Sequence, residues 1–329
     1  MAATGALLVS GRQVRRAGAA PPGLPRIGYP TLIPVRPGQG TDFLNAFRQG
    51  LSAYGYTENK NIVIELRDAG GAVEQLPLII QELVQLPVSV FVLPLSNTVL
   101  MAAKATRTIP IVSTLIGDPV ALGLAQSLAR PTANVTGLTV YSEPLTGKRL
   151  ELLKEAAPSV RRVGLLRNAD YPETARDLSE AKLVAPRLGL VLVPLDFTTP
   201  QEMQLALESG VRERIDSLVV VPDAVSAAHY AAIVRFATAR RLPGVYHNER
   251  FADPALANPG GLVAFGPDRI YNLGRAAFYV DRLLKGTRPQ DLPFEQPTRF
   301  RLAISLRAAR LLNLTVPQSL LVRATDLFD

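Results

Sequence analysis

Residues 108–137, TIPIVSTLIGDPVALGLAQSLARPTANVTG, constrain the fold more than any other stretch of the chain. They open on a β-branched apolar run, residues 109–115, of the kind that forms a strand buried on both faces. Gly117, Asp118 and Pro119 follow at once. Glycine permits a tight turn, aspartate caps a helix and proline suits the first helical position, so a short helix to about Ala129 is expected. Arg130-Pro131 ends it, and a second strand begins near Asn134. Strand, polar loop, helix start and strand make the unit of an open parallel sheet. Ligands sit in the loops at the carboxyl ends of such strands, where helix N-termini offer unpaired N–H groups.

The same alternation continues on both sides. Before this stretch, residues 26–29, 61–67 and 88–93 read as strands, with helices over 43–51, 73–86 and 96–106. After it, 162–167, 190–195, 217–221 and 244–246 read as strands between helices. Two successive sets of this kind predict an α/β protein with two doubly wound parallel-sheet lobes. With 329 residues, 47% of them apolar, the chain can fill two cores. No run of about 18 apolar residues predicts a membrane span. Residues 1–25 read as a tail or remnant targeting segment, Ala-rich with a Pro/Gly exit, and their charges follow the apolar part as in no ordinary export signal.

Composition removes several chemistries. The chain has no cysteine, which excludes disulfides, thiolate metal sites and cysteine nucleophiles. Its two histidines, His229 and His247, show no metal-ligand spacing, so neither metal nor cofactor is expected. Gly38-Gln39-Gly40-Thr41 lacks the third glycine of a dinucleotide fingerprint. The charge of +8 comes mostly from scattered arginine, with six lysines among 36 basic residues and no long basic run. That argues against nucleic acid and leaves a field that favours anionic ligands.

What remains is a set of polar groups at strand exits: Ser96, Asn97 and Thr98; Thr114, Gly117 and Asp118; Asn168 and Asp170; Asp223; and His247, Asn248 and Glu249. Each also fits a cap or turn role. Together they line one carboxyl edge in each lobe. A cleft so built suits a small acid or zwitterion, with a helix start at Ser96 for the carboxylate, Asp118 or Asp223 for an amine, and Tyr29, Tyr141 and Tyr246 for the body.

The segments ENKNIVIELRDAGG, IGDPVALGLAQSLARPTANVTGLT, GKRLELLKEAAPSVRRVGLLRN and the tail from VDRLLKG through FEQPTRF to TDLF are similar to the tryptophan/tyrosine-type ABC-transporter substrate-binding proteins. The resemblance runs from Arg26 to Asp329. It implies a type I periplasmic-binding-protein fold, a three-crossover hinge, no catalysis, and a ligand that is an aromatic or branched amino acid or related carboxylic acid. It also implies ABC permease and ATPase partners, a periplasmic location and a monomer. On it, lobe one is expected to hold residues 26–139 and 261–290, and lobe two 140–260 and 291–329. Thr132-Ala133 and the TVYSEPL run around Tyr141 depart from the family pattern, the second at a place that affects ligand choice. Two other classes use the same lobes: the effector core of a transcription regulator and an enzyme such as an amino-acid racemase.

Overall fold

The computed structural model describes residues 23–32, 34–35, 40–140, 145–171 and 173–329. The first lobe is built on β1 (Arg26–Thr31), β2 (Val63–Asp68), β3 (Val90–Leu93) and β4 (Ile111–Ile116), followed by a small hairpin of β5 (Ala125–Ser127) and β6 (Arg130–Pro131), and then β7 (Val135–Thr139). Its sheet has the order β2-β1-β3-β4-β7, every pair parallel. Helices α1 (Thr41–Ala53), α2 (Leu76–Val84) and α3 (Ser96–Ala105) connect the strands. All four residues of β3 are buried, as expected for a central strand covered on both faces.

The second lobe contains α4 (Leu145–Ala156), β8 (Arg162–Asn168), α5 (Thr174–Val184), β9 (Val191–Phe197), α6 (Pro200–Arg212), β10 (Ser217–Val220), α7 (Ala224–Ala228), α8 (Tyr230–Ala239), β11 (Gly244–Tyr246) and β12 (Val263–Pro267). Helix α9 (Arg269–Leu284) follows, then β13 (Phe300–Ser305), α10 (Leu306–Leu311), α11 (Gln318–Arg323) and β14 (Asp326–Phe328). The second sheet has the order β14-β13-β12-β11-β10-β8-β9, parallel except where β13 runs against β12. In both lobes the winding direction reverses beside the first strand, between β1 and β3 and between β8 and β10. Those reversal points open a crevice at the carboxyl edge of each sheet.

Two expectations need correction here. The strand near Leu262 does not join lobe one: β12 pairs with β11 in lobe two, Val245 opposite Val263 and Tyr246 opposite Ala264. What returns to lobe one is α9, which packs its buried Leu273, Ala276, Ala277 and Val280 against Leu44, Phe47 and Leu51 of α1. Residues 291–295 also stay with lobe one. Phe294 is in its core, the Glu295 N–H donates to the Gly137 carbonyl at 2.9 Å, and Thr139 N–H donates to the Glu295 carbonyl at 2.9 Å. Apolar periodicity shows that a strand is buried; it does not say against which sheet. The chain crosses between lobes three times, after β7, after β12 and after Glu295.

The second correction is at Asp118. No helix follows it. Asp118 Oδ1 accepts the N–H groups of Val120 and Ala121 at 3.0 and 3.2 Å, but this capped turn is broken by Gly123, left-handed at φ 71°. Residues 125–131 then form the β5–β6 hairpin. A glycine in that conformation stops a helix after one turn.

A closed arrangement of the lobes is visible in their contacts. Leu32, Ala69 and Leu76 of lobe one cluster with Ala224 of lobe two, and Ala228 packs beside them. Among the described residues no helix is long and apolar enough to cross a membrane.

Candidate functional site

The two carboxyl edges enclose a cavity of about 300 Å³. Lobe one contributes Tyr29 and Thr31 from β1, Pro94, Leu95 and Ser96 after β3, and Thr114, Gly117 and Asp118 from β4 and its exit. Lobe two contributes Tyr171, Glu173 and Arg176 after β8, Pro222 and Ala227 around α7, and His247 and Asn248 after β11. Leu32, Val35, Phe43, Leu122 and Leu273 supply an apolar wall, and Arg149, Asp177 and Glu180 reach it from α4 and α5.

Leu95 turns the chain into α3 with φ 64°, a conformation that costs a side-chain-bearing residue about 1 kcal/mol or more. The turn presents Ser96 to the other lobe. Ser96 Oγ accepts the Gly117 N–H at 2.9 Å and donates to Glu173 Oε1. Its backbone N–H donates to the Tyr171 hydroxyl at 3.3 Å. The α3 N-terminus, expected to wait for a carboxylate, is in part occupied by these lobe-two groups. Asp118 and Arg176 form a further interlobe pair at 3.7 Å; with Arg176 half exposed, its contribution is at most about 1 kcal/mol.

Arg149 is 1% exposed on α4. Its Nε donates to the Phe265 carbonyl at 3.0 Å, while Nη2 has no partner among the described residues. Burial pulls its pKa down, and the charges of Asp177 and Glu180 pull it back up. Those two carboxylates engage the start of α4: Asp177 accepts from Thr146 Oγ1 and Glu180 from the Gly147 N–H. Burial raises the pKa of Glu173, Asp177 and Glu180 alike, against the hydrogen bonds that favour their charged forms. Burial also pushes His247 well below its usual range, assisted by Arg149 and Arg269, so it is neutral at pH 7. Thr114 Oγ1, Glu173 Oε2 and His247 Nδ1, like Arg149 Nη2, are buried without a partner among the described residues. Four such atoms on residues that line the cavity favour a polar guest, because each costs roughly 1–3 kcal/mol while unpaired.

Of the residues singled out from sequence, the structure brings Tyr29, Ser96, Thr114, Gly117, Asp118, His247 and Asn248 to the cavity. Asn97 and Thr98 are not on its wall; Thr98 Oγ1 hydrogen-bonds back to the carbonyl of Leu95 at 2.8 Å. Asp223 is fully buried and spends Oδ1 capping α7 on the N–H groups of Val225 and Ser226, at 2.7 and 2.9 Å, with Asn168 buried nearby; neither reaches the cavity. Tyr246 is a core residue, its ring stacked on Phe251 at 4.8 Å and packed beneath Gly244 and Gly261. A central strand buried on both faces points alternate side chains away from the edge, which is why its position near the strand exit misled. Tyr246→Phe is therefore expected to leave ligand affinity within roughly twofold of wild type, measured by titration calorimetry. Tyr141 lies outside the described residues. Metal clusters are absent among the described residues.

Sequence reasoning missed Arg149 and Glu173. Arg149 carried a signal: it stands on the face of α4 that also holds buried Leu153 and Ala156, where a charge needs a reason. Glu173 carried none, since an acid ahead of a helix is ordinary.

Two α/β lobes wound alike, crossed three times by the chain and packed around a cavity lined from both sides, are an architecture suited to holding a small guest between them. The chain belongs to the ABC transporter substrate binding protein family, whose profile matches residues 40–328. It is thus a binding protein, not an enzyme, of an extracytoplasmic family that takes a small-molecule ligand to an ABC permease. A tyrosine-binding protein of Clostridioides difficile is 26% identical over 250 residues, covering 75% of this chain and 69% of that protein. Among solved structures, a Streptococcus pneumonia ABC domain in complex with L-Trp is 21% identical with a TM-score of 0.81, over 93% of this chain and all of that one. A conserved domain protein of Vibrio cholerae is 27% identical with a TM-score of 0.79, over 92% of this chain and 99% of that one.

Proposed function

We propose that this chain captures a free amino acid with an aromatic or branched apolar side chain, or a related carboxylic acid, in the periplasm and as a monomer, for an importer whose permease is driven by an ATPase. The observation that carries the reading is the make-up of the cavity: unpaired Arg149 Nη2 and Glu173 Oε2 beside the apolar wall of Leu32, Val35, Phe43 and Leu122. A guanidinium suits a carboxylate, a carboxylate suits an ammonium, and the wall suits an apolar body. A volume of about 300 Å³ stands at the low end of the roughly 300–1,000 Å³ of small-ligand sites, which favours an amino acid over an oligosaccharide. The likeness to a tyrosine-binding protein and to a domain holding L-Trp points the same way. Among the sequence-derived candidates, Tyr29, Ser96, Thr114, Gly117, Asp118 and Asn248 are the ones to carry into mutagenesis.

The test is a calorimetric and thermal-shift panel of Trp, Tyr, Phe, Leu, Ile and Val with their deaminated acids. Saturable binding with a rise in Tm for at least one of them is expected. Neither heat nor shift across the whole panel would sink the reading.

A further inference from the structure

Among the carboxylates on the cavity wall, Glu173 is the one that leaves an oxygen both buried and unpartnered among the described residues. Asp118 is spent on two backbone N–H groups and on Arg176, Asp177 on Thr146, and Glu180 on Gly147. Glu173 also reaches from lobe two into lobe one. Its Oε1 takes the Ser96 hydroxyl, and its carboxylate lies so close to Gly117 that a Cβ there would overlap it. Gly117 is thus required for the approach, and Ser96 ties the two together by accepting from the Gly117 N–H while donating to Glu173. The same side chain therefore fastens the lobes with one oxygen, and its other oxygen is left buried and unpartnered in a residue that lines the cavity.

We propose that Glu173 is at once the closing latch and the receptor for the ligand's ammonium group: Oε1 holds Ser96 across the cleft, and Oε2 takes the amine. This deepens, and rests on, the amino-acid reading above. A buried carboxylate with a free oxygen is costly, and a desolvated ammonium is the partner that returns most. An amine-bearing guest fills that demand in the closed state alone, because only there are Ser96, Gly117 and Glu173 together. The ligand thereby shifts the population toward closure through differential contact with the two states. A deaminated acid of the same shape reaches Arg149 and the apolar wall but leaves Glu173 Oε2 unpaired.

The experiment compares wild type, Glu173→Gln and Ser96→Ala against one amino acid from the panel and its deaminated acid. Titration calorimetry reads affinity, and small-angle scattering reads compaction. Wild type is expected to prefer the amine-bearing ligand by roughly tenfold to a hundredfold, the worth of one charge-assisted hydrogen bond. Glu173→Gln, which keeps shape and loses charge, removes most of that preference while holding the affinity for the deaminated acid nearly constant. Ser96→Ala, which keeps the charge and loses the latch, weakens both ligands and their compaction but preserves the preference. An undiminished preference in Glu173→Gln, with folding intact by circular dichroism, overturns the receptor role, and unchanged compaction in Ser96→Ala overturns the latch. Wild type that binds neither ligand instead brings down the amino-acid reading itself.

Discussion

Arg149→Met is expected to abolish ligand binding and to lower the stability of the unliganded protein by about 3 kcal/mol, the usual cost of removing one partner from a buried charged group. Arg149 is 1% exposed, anchored to the Phe265 carbonyl at 3.0 Å, and lines the cavity together with Asp177 and Glu180, whose charges act on it. Methionine fills much of its volume but takes from two half-buried carboxylates the cation that acts on them most strongly, leaving Arg176. The deficit should depend on pH, and the sign follows from the direction of the shifts. Burial raises the pKa of Asp177 above its ordinary 3.8 and that of Glu180 above its ordinary 4.5. Their protonated forms therefore favour the folded state below those ordinary values, and this contribution is lost as pH rises through the raised ones. Without Arg149 both shift further upward, so the variant should be closest to wild type in mild acid and fall behind it toward neutrality. Denaturant titrations at several pH values, with calorimetry for binding, measure both effects. A deficit that grows on acidification would contradict the placement of Arg149 among those carboxylates. Arg149→Lys should retain more stability than Met and still lose most of the affinity, because a lysine ammonium lacks the fork that reaches Phe265 and the cavity together.

Gly137→Ala is expected to cost about 3 kcal/mol or more. Gly137 sits in β7 at φ 123°, where an L side chain is strained, and a Cβ there would overlap the Ser113 carbonyl oxygen of β4. Backbone strain of about 1–3 kcal/mol adds to an overpacking cost of similar size. The position has a functional neighbour. The Gly137 carbonyl accepts the Glu295 N–H, and Glu295 in turn accepts the Thr139 N–H, so two of the three crossing segments are fastened here. The loss should be concentrated in lobe one and at the hinge. Thermal melts would show a lowered or split transition, and scattering would show weaker compaction on adding ligand. A variant as stable as wild type would mean that β4 and β7 are not paired in this register.

How much of this was legible beforehand differs element by element. A strand such as β3 announced itself as an unbroken apolar run, because a parallel sheet covered on both faces leaves no polar side. Asp223, a strand-exit candidate that also fits a cap, does cap a helix start in the structure. The turn at Asp118 carried the same cap signal and made no helix, since a cap satisfies N–H groups without ensuring that more turns follow. Within the site, Ser96, Gly117 and Asn248 could be named because strand exits in this topology are few and known in advance. Arg149 and Glu173 reach the cavity from helical and loop positions that share no local rule with those exits.

The order of strands and helices along the chain determined that two parallel sheets would form and which ends of their strands would carry the polar loops. Backbone hydrogen bonding and apolar burial are local enough, over ten or twenty residues, to be written in residue pattern. Which sheet receives β12, which carboxylate meets Ser96, and whether a tyrosine at a strand's end points to the cleft or into the core were decided only by tertiary packing. Those outcomes depend on contacts between residues as far apart as Ser96 and Glu173, and the energy of such a contact appears in neither segment alone.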